Sequence, residues 1–336
     1  MTKEEILNTL KAVKYPPYDK DIVSFGMVKY VKADESSAEV RIFTGGAEET
    51  ALKIVKQASE VLHAAFLGCK FEVVLLKDDP SKKVPENADK KPAGFAGVKF
   101  VVAVASGKGG VGKSTVAVNL ARTLAKKFSV NSARVGLMDC DIHGPSATIL
   151  FGKKIFPSVN EAQKIIPPEM DGVKAISMSM LVDDEQPLLW RGPMVTGAIK
   201  QFAEEVEWGE LDAMVLDLPP GTGDAVLSVV QNIPINCAVI ITTPNQLAAT
   251  TASRGAMAFQ KSNVKIAGVV ENMAYMPMPD GSREYVFGTG FAEEAAKKLG
   301  VQVLASIPLD KTLQGHKISD ESEKIFADIA DKIMAS

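Results

Sequence analysis

One stretch limits the possible folds more than any other: Ser106-Gly107-Lys108-Gly109-Gly110-Val111-Gly112-Lys113-Ser114-Thr115. From Gly107 to Ser114 it fits the phosphate-loop pattern G-x-x-x-x-G-K-[ST]. The run before it, Phe100 to Ala105, is apolar and rich in β-branched residues, so it reads as a strand buried on both faces. The run after it, Val116 to Ala125, reads as a helix. The motif needs that strand–loop–helix context. Its glycines let several backbone N–H groups close on one anion, and the helix begins with its positive dipole end toward the same point. Lys113 then reaches the β- and γ-phosphates of a nucleotide, and the Ser114 hydroxyl ligates Mg²⁺.

Lys108 adds a second signal, because cradling one nucleotide does not require a lysine directly after the first glycine. The string G-K-G-G-V-G-K-S-T resembles the deviant Walker A loop of the ParA, MinD, nitrogenase iron protein and Mrp families. The resemblance implies a mostly parallel α/β P-loop NTPase of the SIMIBI class. It implies that Gly107, Lys108, Gly109, Gly110, Val111, Gly112, Lys113, Ser114 and Thr115 bind ATP. It also implies a homodimer in which Lys108 acts on the partner's phosphates.

From Val98 onward strands alternate with helices, the pattern of a mostly parallel sheet covered on both faces. Arg134 to Met138 is a strand that ends in Asp139-Cys140-Asp141-Ile142-His143-Gly144-Pro145-Ser146. Leu211 to Leu216 leads in the same way to Asp217-Leu218-Pro219-Pro220-Gly221-Thr222-Gly223-Asp224. Carboxylates at the carboxyl ends of such strands overhang the ligand crevice. Asp217 therefore reads as the Walker B carboxylate that holds Mg²⁺ together with Ser114. Both strings resemble the Mrp-type ATPases, whose first string usually runs D-A-D-I-Y-G-P-S. By that resemblance Asp139 and Asp141 form the first switch, Asp141 orients the attacking water, and Pro219 to Asp224 form the second switch. The resemblance also gives Asn272, at the end of the strand Val264 to Glu271, the adenine edge, and has Pro308 and Asp310 line the base. Arg191-Gly192-Pro193-Met194 matches a further Mrp stretch and leads into a helix through Phe202.

Residues 1–77 read as a small α+β domain of order αββαβ. Helices at 2–14 and 48–66 accompany strands at 25–32, 38–44 and 70–76, and the second helix carries a continuous apolar stripe from Ala51 to Phe66. The pattern resembles the small domain fused ahead of Mrp ATPases and found in iron–sulfur assembly factors. Where that family has D-P-E and P-G-C-P segments, this chain has Tyr15-Pro16-Pro17 and Thr44-Gly45-Gly46-Ala47, without a cysteine. Residues 78–97 are charged and broken by prolines, which reads as a solvated linker. Residues 98–336 form the ATPase domain.

The 336 residues carry a formal net charge of −3, which gives no general attraction to nucleic acid or anionic membrane. No apolar run approaches the roughly 18–20 residues of a membrane span, and the charged start does not read as a signal peptide, so a cytoplasmic location is expected. Cys69, Cys140 and Cys237 form no C-x-x-C pair. The C-terminal helix, Ser322 to Met334, mixes acidic and basic residues on its outer face and reads as packing on its own domain.

Mrp-type proteins are ATP-dependent iron–sulfur cluster carriers, so the resemblance implies slow ATP hydrolysis with Mg²⁺, and partners that are assembly factors or recipient apoproteins. Many members follow the E-N-M strand end with a C-x-x-C pair that shares a [4Fe–4S] cluster between two chains. Aligned on Asn272-Met273, the two cysteine places here hold Met278 and Gly281. A thioether is a weaker partner for cluster iron than a thiolate, and glycine offers no side chain, so no stable four-thiolate cluster is expected at that seam. Two other functions are consistent with the same features: an ATP-gated dimeric switch or scaffold without its own cluster, and a positioning ATPase like ParA or MinD. The second needs a basic surface or a basic amphipathic tail, and the sequence shows neither.

Overall fold

The computed structural model describes residues 1–15, 21–34, 36–44, 48–76, 91–128, 133–141, 144, 146–153, 155–180 and 192–336. Contacts divide the chain into two units, Met1–Asp89 and Lys90–Ser336.

The first unit runs α1 (Lys3–Leu10), β1 (Val28–Ala33), β2 (Ser37–Ile42), α2 (Glu48–Ala65) and β3 (Lys70–Leu75). Helix α1 starts where it does because Thr2 and Glu5 cap each other's backbone N–H groups, at 2.8 and 3.3 Å. On β2, Ala38, Val40 and Ile42 are buried while the residues between them are more exposed, the period-two pattern of a sheet with one covered face. Ile54, Ala58 and Leu62 of α2 recur every four residues and join Ile6 and Leu10 of α1 in this core. Strand β2 lies between an antiparallel β1 and a parallel β3. The order is αββαβ, as the sequence pattern predicts. Residues 16–17 and 45–47 of the two divergent segments lie outside the described residues.

The second unit contains β4 (Val101–Ser106), α3 (Lys113–Phe128), β5 (Val135–Asp139), α4 (Ala147–Phe151), β6 (Ser158–Val159), β7 (Ile165–Ile166), β8 (Glu169–Met170) and β9 (Val173–Ser177). It continues with α5 (Gly192–Glu205), β10 (Ala213–Asp217), α6 (Asp224–Asn232), β11 (Cys237–Thr242), α7 (Gln246–Lys261) and β12 (Lys265–Glu271). It closes with β13 (Met276–Pro277), β14 (Arg283–Glu284), α8 (Phe291–Leu299), β15 (Val303–Ser306) and α9 (Asp320–Met334). Eight strands form one sheet in the order β15-β12-β11-β4-β10-β5-β9-β8. All neighbours pair in parallel except the edge strand β8, which turns back antiparallel on β9. Strand β4 shows why an all-apolar run was required. Val101, Ala103 and Ala105 face a core built with α5, α6 and α7, while Val102 and Val104 face a second core built with α3 and α9.

The linker expected over residues 78–97 lies outside the described residues up to residue 90. Residues 91–97 differ from that expectation. Phe95 is fully buried, the Ala93 N–H donates to Glu204 at 2.9 Å, and Gly94 sits so close to Ala203 and Val206 that a Cβ would meet both carbonyl oxygens at 2.6 Å. The segment belongs to the core beside α5. One aromatic in a polar, glycine-rich stretch supplied the anchor that its composition concealed.

Asp310, expected at the base, closes the C-terminal end of the fold. It accepts from the Thr312 N–H at 2.8 Å and from the hydroxyls of Thr312, Ser319 and Ser322 at 2.6, 2.5 and 2.7 Å. Burial pushes its carboxyl up, but the hydrogen bonds from Ser319, Thr312 and Ser322 outweigh that and hold it at about 2. A carboxylate held below its unfolded value stabilises the fold above about pH 4, and that stabilisation is lost as pH falls through about 2. Asp310→Ala is expected to cost about 1–3 kcal/mol at pH 7. Denaturant titrations of the variant and the parent should converge toward pH 2, and a pH-independent difference would contradict this role.

Candidate functional site

The crevice forms where β4, β5 and β10 end. Strand β4 runs out at Ser106 and α3 starts at Lys113, so the six residues between must turn within a short span. Gly110 and Gly112 each take φ +79, a left-handed conformation that favours glycine. A Cβ on Gly109 or Gly110 would enter open space, whereas on Gly112 it would come within 2.2 Å of the Asn272 side-chain nitrogen. Gly107 lies against α7, where a Cβ would meet the Thr251 carbonyl carbon at 2.0 Å. The loop is therefore fixed from behind by α7 and Asn272 and open in front.

In front is a cavity of about 450 Å³, within the usual range for small-molecule sites. The phosphate loop forms its floor, Asp141, Gly144, Ser146, Ile149 and Leu150 one wall, and Pro220 and Gln314 complete the lining. Lys113 is only 6% exposed; its Nζ donates to Asp217 Oδ1 at 2.5 Å and stands 3.9 Å from Asp141 Oδ2. The Lys113 Nζ also lies 3.5 Å from the Ser114 hydroxyl oxygen. Lys108 lines the cavity, with its carbonyl accepting from the Ser106 hydroxyl at 3.0 Å.

Asp139 and Asp217 are register partners on β5 and β10, and both are buried. Burial and the negative charge of Asp217 push the Asp139 carboxyl up to about 7, against the pull of Lys113 and of backbone N–H groups. Burial likewise raises Asp217, and Lys113 opposes that rise. The two carboxylates differ in use. Asp139 faces inward: one oxygen accepts from the Asp141 N–H at 3.0 Å, the other from the Ser177 hydroxyl at 3.0 Å and the N–H groups of Ser146 and Ala147 at 3.2 and 3.3 Å. It thereby holds the chain on both sides of the turn and leaves Asp141 beside the cavity. Ile142, His143 and Pro145 lie outside the described residues, as does Arg191. In the second predicted switch, the Gly221 N–H donates to the Ser106 carbonyl at 2.9 Å, which brings Pro220 to the cavity.

The structure brings Lys108, Lys113, Ser114 and Asp141 to one cavity, with Asp217 beneath Lys113. Asn272, Pro308 and Asp310, expected at the base, are not among the residues that line this cavity. Asn272 is 3% exposed and its Nδ2 donates to the Val111 carbonyl at 2.9 Å, so its amide supports the loop from behind. Pro308 is buried and Asp310 is the cap described above. Gln314, which sequence reading did not single out, lines the cavity instead. No local pattern marks it, because only the packing of the segment before α9 brings it there.

Met278 and Gly281 form the turn between β13 and β14, where the Gly281 N–H donates to the Met278 carbonyl at 3.0 Å. Among the described residues no group of three or more His, Cys, Asp or Glu side chains is arranged to hold a metal ion. Cys140 and Cys237 are buried, and burial pushes both thiols up, Cys237 to about 11.

A phosphate loop on a central strand of a parallel sheet, with an acidic residue ending the adjacent strand, defines a P-loop NTPase. The family model described as ParA, NUBPL iron-transfer P-loop NTPase, matches residues 97–336, and the chain belongs to this family. An iron-sulfur cluster carrier protein of Pseudomonas fragi is 46% identical over 67% of this chain and 78% of its own length. One of Bacillus subtilis is 36% identical over 99% of this chain and 97% of its own. A nucleotide-binding protein of Archaeoglobus fulgidus, solved in complex with ADP, is 35% identical, with a TM-score of 0.57 over 72% of this chain and 91% of that one.

The donor set fits nucleotide and Mg²⁺: an open glycine floor, a buried ammonium, a hydroxyl and hard carboxylate oxygens. Gly112→Ala tests how far the floor depends on its backbone. A methyl there is strained in φ and displaces Asn272, so ATP affinity should fall at least about tenfold with about 1–3 kcal/mol of lost stability. Calorimetric titration of the folded variant at wild-type affinity would show that the left-handed turn is dispensable.

Proposed function

We propose that the protein is an ATP-hydrolysing molecular switch that serves iron–sulfur cluster transfer to apoproteins. The observation that carries this reading is the placement of Lys113 within reach of both Asp217 and Asp141, at the end of a glycine loop that is open in front. Ser114 and Asp217 would hold Mg²⁺, which neutralises phosphate charge when bound. For that to happen the Lys113 ammonium leaves Asp217 for the nucleotide's phosphate oxygens. Asp141 orients a water toward the γ-phosphorus. The new P–O bond forms as the bond to the β-phosphate oxygen breaks, giving ADP and inorganic phosphate. The role in cluster transfer comes from the relatives named as cluster carriers, which match over most of the chain. Its partners are recipient apoproteins or assembly factors, and its location the cytoplasm.

The site works in pairs. Lys108 sits on the cavity lining, and the loop around Gly109 and Gly110 is open in front, where a second copy would approach. Chains carrying Lys108→Ala and chains carrying Asp141→Ala should each be inactive alone, with hydrolysis lowered by about 10²-fold or more. Mixed, they should regain part of the activity, because a heterodimer keeps one intact composite site. Full activity in a strictly monomeric preparation would overturn the paired arrangement.

A second reading, an ATP-gated scaffold without its own cluster, is favoured by Met278 and Gly281 at the places the resemblance pairs with cysteines. On either reading this chain forms no stable four-thiolate cluster; transfer proceeds by a labile cluster or through a partner that holds the iron. Anaerobic reconstitution with iron and sulfide, followed by desalting and metal analysis, should leave far less than one cluster per dimer. A stoichiometric cluster lost in Cys140→Ser or Cys237→Ser would contradict this.

A further inference from the structure

Two walls of the cavity come from parts of the chain with no sequence relation. One is α4, whose Ile149 and Leu150 line the cavity just after the Asp141 turn. The other is the segment from Leu313 to Gly315, which presents Gln314. Neither is paired into the sheet: α4 has five residues, and the segment ends a short turn capped by Asp310, with Phe151 and Leu313 of the two packed in the core.

One buried side chain holds both. Arg122 projects from α3, the helix that begins at the phosphate loop, and is 7% exposed. Its Nη2 donates to the Leu150 carbonyl at 3.0 Å and its Nη1 to the Gly315 carbonyl at 2.9 Å. Its Nε and Nη2 reach Asp171 Oδ2 at 3.0 and 2.8 Å. The guanidinium carbon lies 5.0 Å from the centre of the Phe151 ring, the last residue of α4. The planar fork therefore spans α4, the turn between β8 and β9, and the residue after Gln314. Asn119, one turn nearer the phosphate loop, donates to the Leu313 carbonyl at 2.9 Å, so α3 holds the chain on both sides of Gln314. His316 stands 3.4 Å from the same Asp171 oxygen.

We infer that Arg122 is a positioning residue for nucleotide binding: by bridging the carbonyls of Leu150 and Gly315 it holds the α4 wall and the Gln314 wall of the cavity in one arrangement. Gln314 is the residue it presents to the nucleoside end, where an amide offers both a donor and an acceptor to a base or ribose. The inference rests on the nucleotide reading of the cavity. Arg122 touches neither the phosphate loop's lysines nor the acidic switch residues, so its loss acts on binding and leaves the phosphate chemistry in place. A lysine cannot replace it fully, because a point charge does not reproduce a fork that bonds two carbonyls and a carboxylate together.

The test compares the full chain with Arg122→Met, Arg122→Lys and Gln314→Ala. Arg122→Met should raise KM for MgATP and Kd for ADP about tenfold or more, with kcat within about threefold of the parent. Arg122→Lys should lie between. Gln314→Ala should raise Kd in the same direction. Hydrogen exchange supplies the readout that a merely structural role would not move. In the parent, ADP should protect amides at the phosphate loop, at 147–151 and at 313–316 together. In Arg122→Met the phosphate-loop protection should persist while the two walls no longer respond together. If Arg122→Met does not fold, Arg122→Lys gives the same readouts. Unchanged KM and Kd with a lowered melting temperature alone, or joint protection of both walls in the variant, overturns the inference. Failure of the parent chain to bind ADP at all overturns the nucleotide reading instead.

Discussion

The site depends on one buried ammonium set among three carboxylates. Asp139 and Asp217 end neighbouring strands in register, and Asp141 follows two residues later. Side by side and buried, two carboxylates repel each other and lose hydration, which pushes both carboxyls up, and a neighbouring cation opposes that rise. Lys113 is that cation, and it comes from the first residue of the helix that the phosphate loop launches. Its charge stabilises the empty crevice in the form in which it hangs over the loop's open floor. On the proposed reading a nucleotide with Mg²⁺ would replace one set of compensating charges by another, the phosphates taking the ammonium and the metal the carboxylate. Binding would then be an exchange of ion pairs.

The surrounding fold can be read as what this exchange requires. Asp139 gives up access to solvent to anchor the turns at 141 and 146–147, which leaves Asp141 at the cavity. Helix α7 and Asn272 press on the back of the loop, and small residues there are obligatory: Gly107 for the approach of Thr251, Gly112 for that of Asn272. Arg122 then places the walls that the sheet does not reach. Support runs outward from the loop through Asn119 and Arg122 of α3 in contacts of about 3 Å.

Much of this was legible in the sequence because it is local. The phosphate loop, the two strand-end aspartates and the apolar strands each occupy fewer than about ten consecutive residues, and composition and spacing suffice to read them. What was not legible is what distant packing decides. Asn272 supports the loop through Val111, and Asp310 caps the segment of Thr312, Ser319 and Ser322, two packing roles that no local pattern announces. Gln314 has no motif around it. Phe95 is the one aromatic in its stretch, and it is fully buried where the composition reads as a solvated linker. Helix α7 buries Ala248, Ala252, Ala256 and Phe259 at helical spacing, yet nothing local to it says that it forms the rear wall of the loop.

The central claim is that Lys113 moves from Asp217 to the phosphates of a bound nucleotide and that hydrolysis depends on it. Steady-state MgATP hydrolysis by Lys113→Ala, measured beside the parent chain at matched concentration with the fold checked by circular dichroism, tests this most directly. The account predicts a loss of about 10²-fold or more in kcat/KM. A folded Lys113→Ala chain that hydrolyses ATP at the parent's rate would contradict it.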